Sequence, residues 1–269
     1  MRKVFGASLI AFIILAVPGA KAQNCSNSQF KGVYSALAKG DFIVGLPAPL
    51  PGPTTRIGRV EADGDGHSHI RAITSLNGIV LSEEYDGIYA INPDCTANVT
   101  LNIPFPGVGI IPFTFHGVLS DNFQQLDIIL VNPPGTTVGL SLRQQNRGNC
   151  SANDLRGGYA VIMRGFTGLP LGPPVSFARL GRIVFDGRGG FSAETTVSNG
   201  GVIAPDNFSG SYSINSLCEL TMSYGAGNTW SGVLMDNSTG ANVMVTGPTV
   251  PFSGFDLLGS AVSGTVRKQ

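Results

Sequence analysis

The sequence predicts an all-β protein built from two antiparallel eight-stranded up-and-down β-barrels in tandem, with two β-sandwiches as the alternative closure. Three observations carry this reading. First, the chain repeats itself: "RIGRVEADGDG" (56–66) aligns without gaps to "RLGRIVFDGRG" (179–189), and "YDGIYAINPDC" (85–95) to "FSGSYSINSLC" (208–218), both at an offset of 123. Second, apolar residues alternate with polar ones at the period of a strand. Third, the composition favours strands and turns: 37 glycines, many β-branched residues and only 13% charged residues.

The chain opens "MRKVFGASLIAFIILAVPGAKAQ". A basic start, a short apolar run and Ala20-Lys21-Ala22 predict a secretory signal peptide over residues 1–22, cleaved after Ala22. No later apolar run is long enough for a membrane-spanning helix. The repeat then divides the chain into residues 23–146 and 147–269, each a normal domain size. It extends upstream, where "NCSNSQFKGVYSALAKG" (24–40) matches "NCSANDLRGGYAVIMRG" (149–165). Downstream, "HGVLSDN" (116–122) matches "SGVLMDN" (231–237).

In the first repeat the strands fall at 31–40, 55–62, 67–76, 83–91, 97–103, 113–120, 124–131 and 137–145. In strand 4, Gly87, Tyr89 and Ile91 share a face, as do Gly210, Tyr212 and Ile214. The opposite face reads Ile88 and Ala90 in one copy but Ser211 and Ser213 in the other, so the Tyr/Ile face is the inward one. The same test turns Phe115, Leu119, Trp230 and Leu234 inward on strand 6.

Between strands 2 and 3 lies "EADGDGHSH" (61–69). The two copies share Asp63-Gly64-x-Gly66 and Asp186-Gly187-x-Gly189, which is a hairpin turn, because glycine supplies the positive φ a tight turn needs. His67 and His69 are the weak candidates for a metal; their counterparts Gly190 and Ser192 make this a solvated strand face, and no metal or other cofactor is expected.

In a meander the connections alternate between two ends. Connections 2–3, 4–5 and 6–7 are short and polar, whereas the other end carries "DFIVGLPAPLPGPTT", "PFPGVGIIP", "FTGLPLGPPVS" and "GPTVPFSGFD", which are longer and proline-rich. One end is therefore expected to be closed and the other lidded. Cys25 and Cys95 both fall at the short-turn end, as do Cys150 and Cys218. Four cysteines allow three pairings, and the repeat favours Cys25–Cys95 with Cys150–Cys218. Each such closure contributes on the order of 4 kcal/mol in the chain-entropy account.

A Gly-x-aromatic on the first strand (Tyr34, Tyr159) and an arginine ending the last strand (Arg143, Arg267) resemble the calycin superfamily of lipocalin and avidin-like barrels. That resemblance implies a calycin-like barrel with each arginine packed over its aromatic ring at the closed end. The chain departs from the pattern in carrying tyrosine where calycins usually carry tryptophan, and Arg143 has the parity of Gly139 and Ser141. The pattern G-x-Y, F-D-G-x-G, G-x-Y-x-I-N-x-x-C also resembles modules of uncharacterised secreted bacterial proteins, which implies no activity.

Zero formal net charge excludes a nucleic-acid footprint. The expected role is non-catalytic, in the periplasm or outside the cell, with a small apolar ligand held in a barrel. The candidate contacts are Phe42, Ile43, Leu46, Phe105, Ile110 and Phe113 in the first repeat and Phe166, Leu169, Leu171, Phe252 and Phe255 in the second. The alternative is a module that docks a surface protein or a glycan. A barrel isomerase or cyclase is a third reading. It lacks a nucleophile elbow or metalloprotease motif, and Glu83, Glu84, Asp86, Asp127, Glu194 and Asp206 are expected to supply no inward acid common to both repeats.

Overall fold

The computed structural model describes residues 24–42, 51–105, 109–145, 148–252 and 255–269. Both repeats are antiparallel barrels of eight strands. The first comprises β1 (Lys31–Phe42), β2 (Gly52–Asp63), β3 (His67–Leu76), β4 (Ile79–Ile91), β5 (Thr96–Phe105), β6 (Gly109–Ser120), β7 (Gln125–Asn132) and β8 (Thr136–Gln144). β8 returns to β1 in the register Phe42↔Thr136 to Tyr34↔Gln144 and closes the barrel. The second runs β9 (Arg156–Thr167), β10 (Val175–Asp186), β11 (Gly190–Asn199), β12 (Val202–Ile214), β13 (Glu219–Tyr224), β14 (Asn228–Met235) and β15 (Gly240–Gly247). A small hairpin follows, β16 (Val250–Phe252) and β17 (Phe255–Leu257), before β18 (Ser260–Lys268) closes on β9.

The alternation sorts side chains as the sequence predicts. Tyr89, Ile91, Phe115, Leu119, Tyr212, Trp230 and Leu234 are buried, and Ile88 faces solvent. β4 starts four residues before its predicted position. Asn77 (φ 47°) and Gly78 (φ 82°) turn the chain in two residues, so this mouth connection is tight rather than long.

The short-turn end is sealed. Cys25 bonds Cys95 and Cys150 bonds Cys218, with Cα separations of 5.0 and 4.9 Å. The Asp-Gly turn is a backbone cradle: Asp63 accepts the amides of Asp65 (2.7 Å), Gly66 (3.0 Å) and His67 (3.0 Å). Those amides hold the Asp63 carboxyl down at about 2. Tyr89 ties this turn to the N-terminal segment, accepting the Gly64 amide at 2.8 Å and donating to the Phe30 carbonyl at 2.9 Å. In the second barrel the Tyr212 hydroxyl reaches the Leu155 carbonyl at 2.9 Å in the same way.

The expected arginine–tyrosine packing is not what the closed end shows. Phe30 stacks on Tyr34 with ring centroids 4.3 Å apart, and Phe185 meets Tyr159 edge-on at 5.3 Å. Arg143 and Arg267 instead converge on Asp236 in the turn after β14, and Arg143 also pairs with Asp121 at 2.9 Å. The parity of Arg143 explains this: β8 places it outside the barrel, where a carboxylate of the other repeat is within reach.

The barrels pack side against side through β1 and β2 of the first and β14, β15 and β18 of the second. Outward residues on these strands are therefore buried: Ile57, Val233, Met235 and Met244 form the apolar part. Serine and asparagine stitch the rest. Ser35 donates to the Val233 carbonyl at 2.9 Å, Asn242 donates to the Ser35 hydroxyl at 3.0 Å, and Thr55 meets Ser263.

Both barrels splay at the mouth along one seam. β5 pairs only with Gly87–Ile91 of β4, and β13 only with Gly210–Ile214 of β12. In the first barrel β17 takes the vacated edge, pairing Asp256 with Val80 and Leu257 with Ile79.

Candidate functional site

The most distinctive chemistry lies inside the barrels. β2 carries Arg56 and β4 carries Glu83, both on the inward parity of their strands. They form an ion pair at 2.7 Å, with only 14% and 4% of each side chain exposed. Thr74 bridges them, accepting from Arg56 Nε at 2.6 Å and donating to Glu83 at 2.6 Å. Arg56 also donates to the Tyr85 hydroxyl at 2.9 Å. Burial works against the Arg56 charge, but Glu83 and Tyr85 more than offset it and its pKa rises. Burial pushes the Tyr85 hydroxyl up to about 12.

The second barrel repeats the device in another setting. Arg179 pairs with Asp206, and its guanidinium lies over Phe208 (5.0 Å), Trp230 (5.2 Å) and Phe177 (5.7 Å). Aromatic faces here do the work that Thr74 and Tyr85 do in the first barrel. Arg56 and Arg179 are repeat counterparts, and so are Glu83 and Asp206. This corrects the expectation that the repeats share no inward acid. The signal was in the sequence: both pairs obey the offset of 123, and Glu83 has the parity of Tyr85, Gly87 and Tyr89.

The pair leaves little space. Around it the first barrel holds a void of about 30 Å³, and towards the mouth another of about 20 Å³. Phe42 and Phe113, two of the expected ligand contacts, meet edge to face at 6.2 Å and fill the space between them. Of the other expected contacts, Ile110 (71% exposed) and Leu171 (75%) face solvent. Leu169 is buried at the Asn77–Gly78 turn, donating its amide to Gly259 at 3.1 Å. Phe166 lines a groove between the barrels. Ile43 and Leu46, and the side chains of Phe105, Phe252 and Phe255, lie outside the described residues.

Larger open spaces lie outside the barrel interiors: one of about 540 Å³ on the first barrel beside His67, His69 and Asp86, and two between the barrels. One groove, about 430 Å³, is lined by Lys39, Arg164, Phe166 and Phe177. Lys39 donates to the Ser263 carbonyl at 2.8 Å, and burial with Arg164 nearby lowers its pKa. A second groove, about 400 Å³, runs past Arg71, Glu84, Asn215 and Glu219.

The histidines stand on the outer face of β3. His69 lies between Asp86 (2.8 Å) and Glu84 (3.0 Å), and His67 reaches Asp63 at 3.2 Å. Both nitrogens of His69 thus meet acceptor-only groups, which suits an imidazolium. Among the described residues no group of three or more histidines, cysteines and carboxylates is arranged to hold a metal.

No family model matches the chain, and no curated protein sequence matches it. Solved structures similar to it include two of distant sequence. One is the transferrin binding protein B of serogroup B Neisseria meningitidis, at 7% identity and a TM-score of 0.33, covering 88% of this chain and 75% of that one. The other is a DUF3598-family protein of unknown function from Nostoc punctiforme, at 13% identity and 0.28, covering 93% and 100%.

Proposed function

We propose that the chain is a non-catalytic, exported tandem-barrel protein that binds its partner on the outside, in the groove between the barrels. The observation that carries this reading is a contrast of volumes. The first barrel keeps voids of about 30 and 20 Å³, whereas the inter-barrel grooves reach about 400 and 430 Å³. Pockets that take small molecules measure roughly 300–1,000 Å³. A charged pair across the interior also opposes an apolar guest, because desolvated ions need their partners.

The groove sets Lys39, Asp41 and Arg164 beside Phe166 and Phe177, which suits a charged group next to an apolar one, as on a protein surface. Export is supported by the predicted leader and by two disulfides, which persist in oxidising compartments. Among the described residues no helix is long and apolar enough to cross a membrane.

A native mass spectrum of the exported protein tests the interior. The bare mass of the disulfide-bonded chain is expected, unchanged after incubation with fatty acids, retinoids or flavonoids. An adduct lost on denaturation would overturn the reading in favour of an apolar ligand. The groove is tested with a Lys39→Glu/Arg164→Glu double variant. It should fail to retain cell-surface proteins that the parent retains under the same conditions.

A further inference from the structure

Among the described residues, the seam that β17 covers in the first barrel lies bare in the second. Ile79 and Val80, which pair with β17, correspond to Val202 and Ile203 of β12. Val202 is 72% and Ile203 73% exposed, and Ala204 and Pro205 are exposed beside them. β13 reaches only to Gly210 of β12, so among the described residues the stretch before it has no strand neighbour on that side. The first barrel's last connection supplies no equivalent hairpin for this edge. The β15–β18 connection contains a hairpin, whereas its counterpart between β7 and β8 is only residues 133–135.

The direction of the free groups follows from the ladder. The Tyr212 amide donates to the Gly189 carbonyl, and the β11–β12 register runs unbroken from there to Asn199↔Val202. Backbone groups alternate between the two edges of a strand, so those of Gly201, Ile203, Pro205 and Asn207 point to the open side. The first barrel obeys the same parity: the Leu258 amide donates to the Gly78 carbonyl, and Gly78 is the counterpart of Gly201.

We propose that this edge pairs with the same edge of a second copy, across a twofold axis that sets Ile203 opposite Ile203. Antiparallel pairing is what a twofold axis generates, and one self-complementary edge suffices for a closed dimer. The edge carries no repelling charge: residues 199–205 are uncharged, and Asp206 turns inward to Arg179. In this register the two Ile203 residues exchange both hydrogen bonds and each Gly201 amide meets a Pro205 carbonyl. Pro205 has no amide hydrogen and ends the ladder there. The contact is thus as short as the one β17 makes, and the expected dimer is weak. The inference does not depend on what the groove binds.

Sedimentation of the mature protein over a concentration series should show a monomer–dimer equilibrium, weakened about tenfold or more by Ile203→Lys. Opposed residues of a hydrogen-bonded antiparallel pair have Cα atoms about 5.5 Å apart, within disulfide reach. Ile203→Cys should therefore oxidise to a covalent dimer, whereas Leu180→Cys, at a residue 62% exposed on β10, should not. A monomer at every concentration overturns the proposal. So do equal cross-linking at both positions and open-ended oligomers, which require two different edges.

Discussion

Glu83 shows what a single residue does in this fold and what it concealed. Its carboxylate holds Arg56 inside the first barrel, bridged by Thr74. Removing one partner leaves a buried charge without compensation. Glu83→Gln is expected to cost about 3–5 kcal/mol, whereas Arg56→Met with Glu83→Leu should cost much less, because a filled apolar interior tolerates the loss of both. Urea unfolding of the three proteins decides this; equal losses in the single and double variants would remove the pair from its role. The pair escaped reading because an isolated glutamate on a strand belongs to no motif, and the second copy replaces it with Asp206. His69 is the opposite case, visible as a residue but not in its surroundings. Hydrogen bonding to Asp86, with Glu84 adding to it, raises its pKa above the ordinary histidine value. A raised folded pKa means that its stabilisation is complete below the ordinary value and is lost as the pH climbs through the raised one. An NMR titration should find His69 titrating above the ordinary histidine value. Asp86→Asn should bring His69 down.

At the scale of elements, strands were legible wherever one face met a core and the other met water. Tyr89, Tyr212 and Trp230 fell on the inward faces that alternation assigned. Alternation is weaker at the mouth, where β4 and β12 lose one neighbour and a Gly-containing turn replaces a loop. Glycine carries a separate signal within the strands. A Cβ on Gly40 would lie 1.8 Å from the Thr137 carbonyl oxygen, and one on Gly165 would lie 1.9 Å from that of Ala261. These are repeat counterparts on β1 and β9, where each barrel closes on its last strand. A glycine in a strand marks such close backbone approach. Gly165→Ala is expected to lose about 2–3 kcal/mol in chemical unfolding and to raise amide exchange on β18 ahead of β11. Uniform exchange across the barrel would place the strain elsewhere.

For the whole molecule, the contact between the barrels was the part the sequence hid. It is made by outward positions such as Ser35, Ser263 and Asn242, which polarity assigns to solvent, yet all three are buried. Only a partner surface makes sense of them, and a single-repeat pattern contains no partner. The consequence is cooperativity. Ile57, Val233, Met235 and Met244 lose their burial if either barrel opens alone, and the β16–β17 hairpin ties the second repeat to β4 of the first. Trp230, the single tryptophan, reports on the second barrel, while far-UV circular dichroism reports on both. The two signals should trace one unfolding transition, as in a two-state molecule. Asn242→Leu removes the hydrogen bond to Ser35 and should shift both signals together by about 1–3 kcal/mol. If the variant moves the Trp230 transition alone and splits the dichroism curve, the barrels fold independently and their contact is only a tether. If the signals stay coincident, the inter-barrel groove is a rigid surface whose shape both barrels fix, which is what presenting Lys39 and Arg164 at fixed spacing requires.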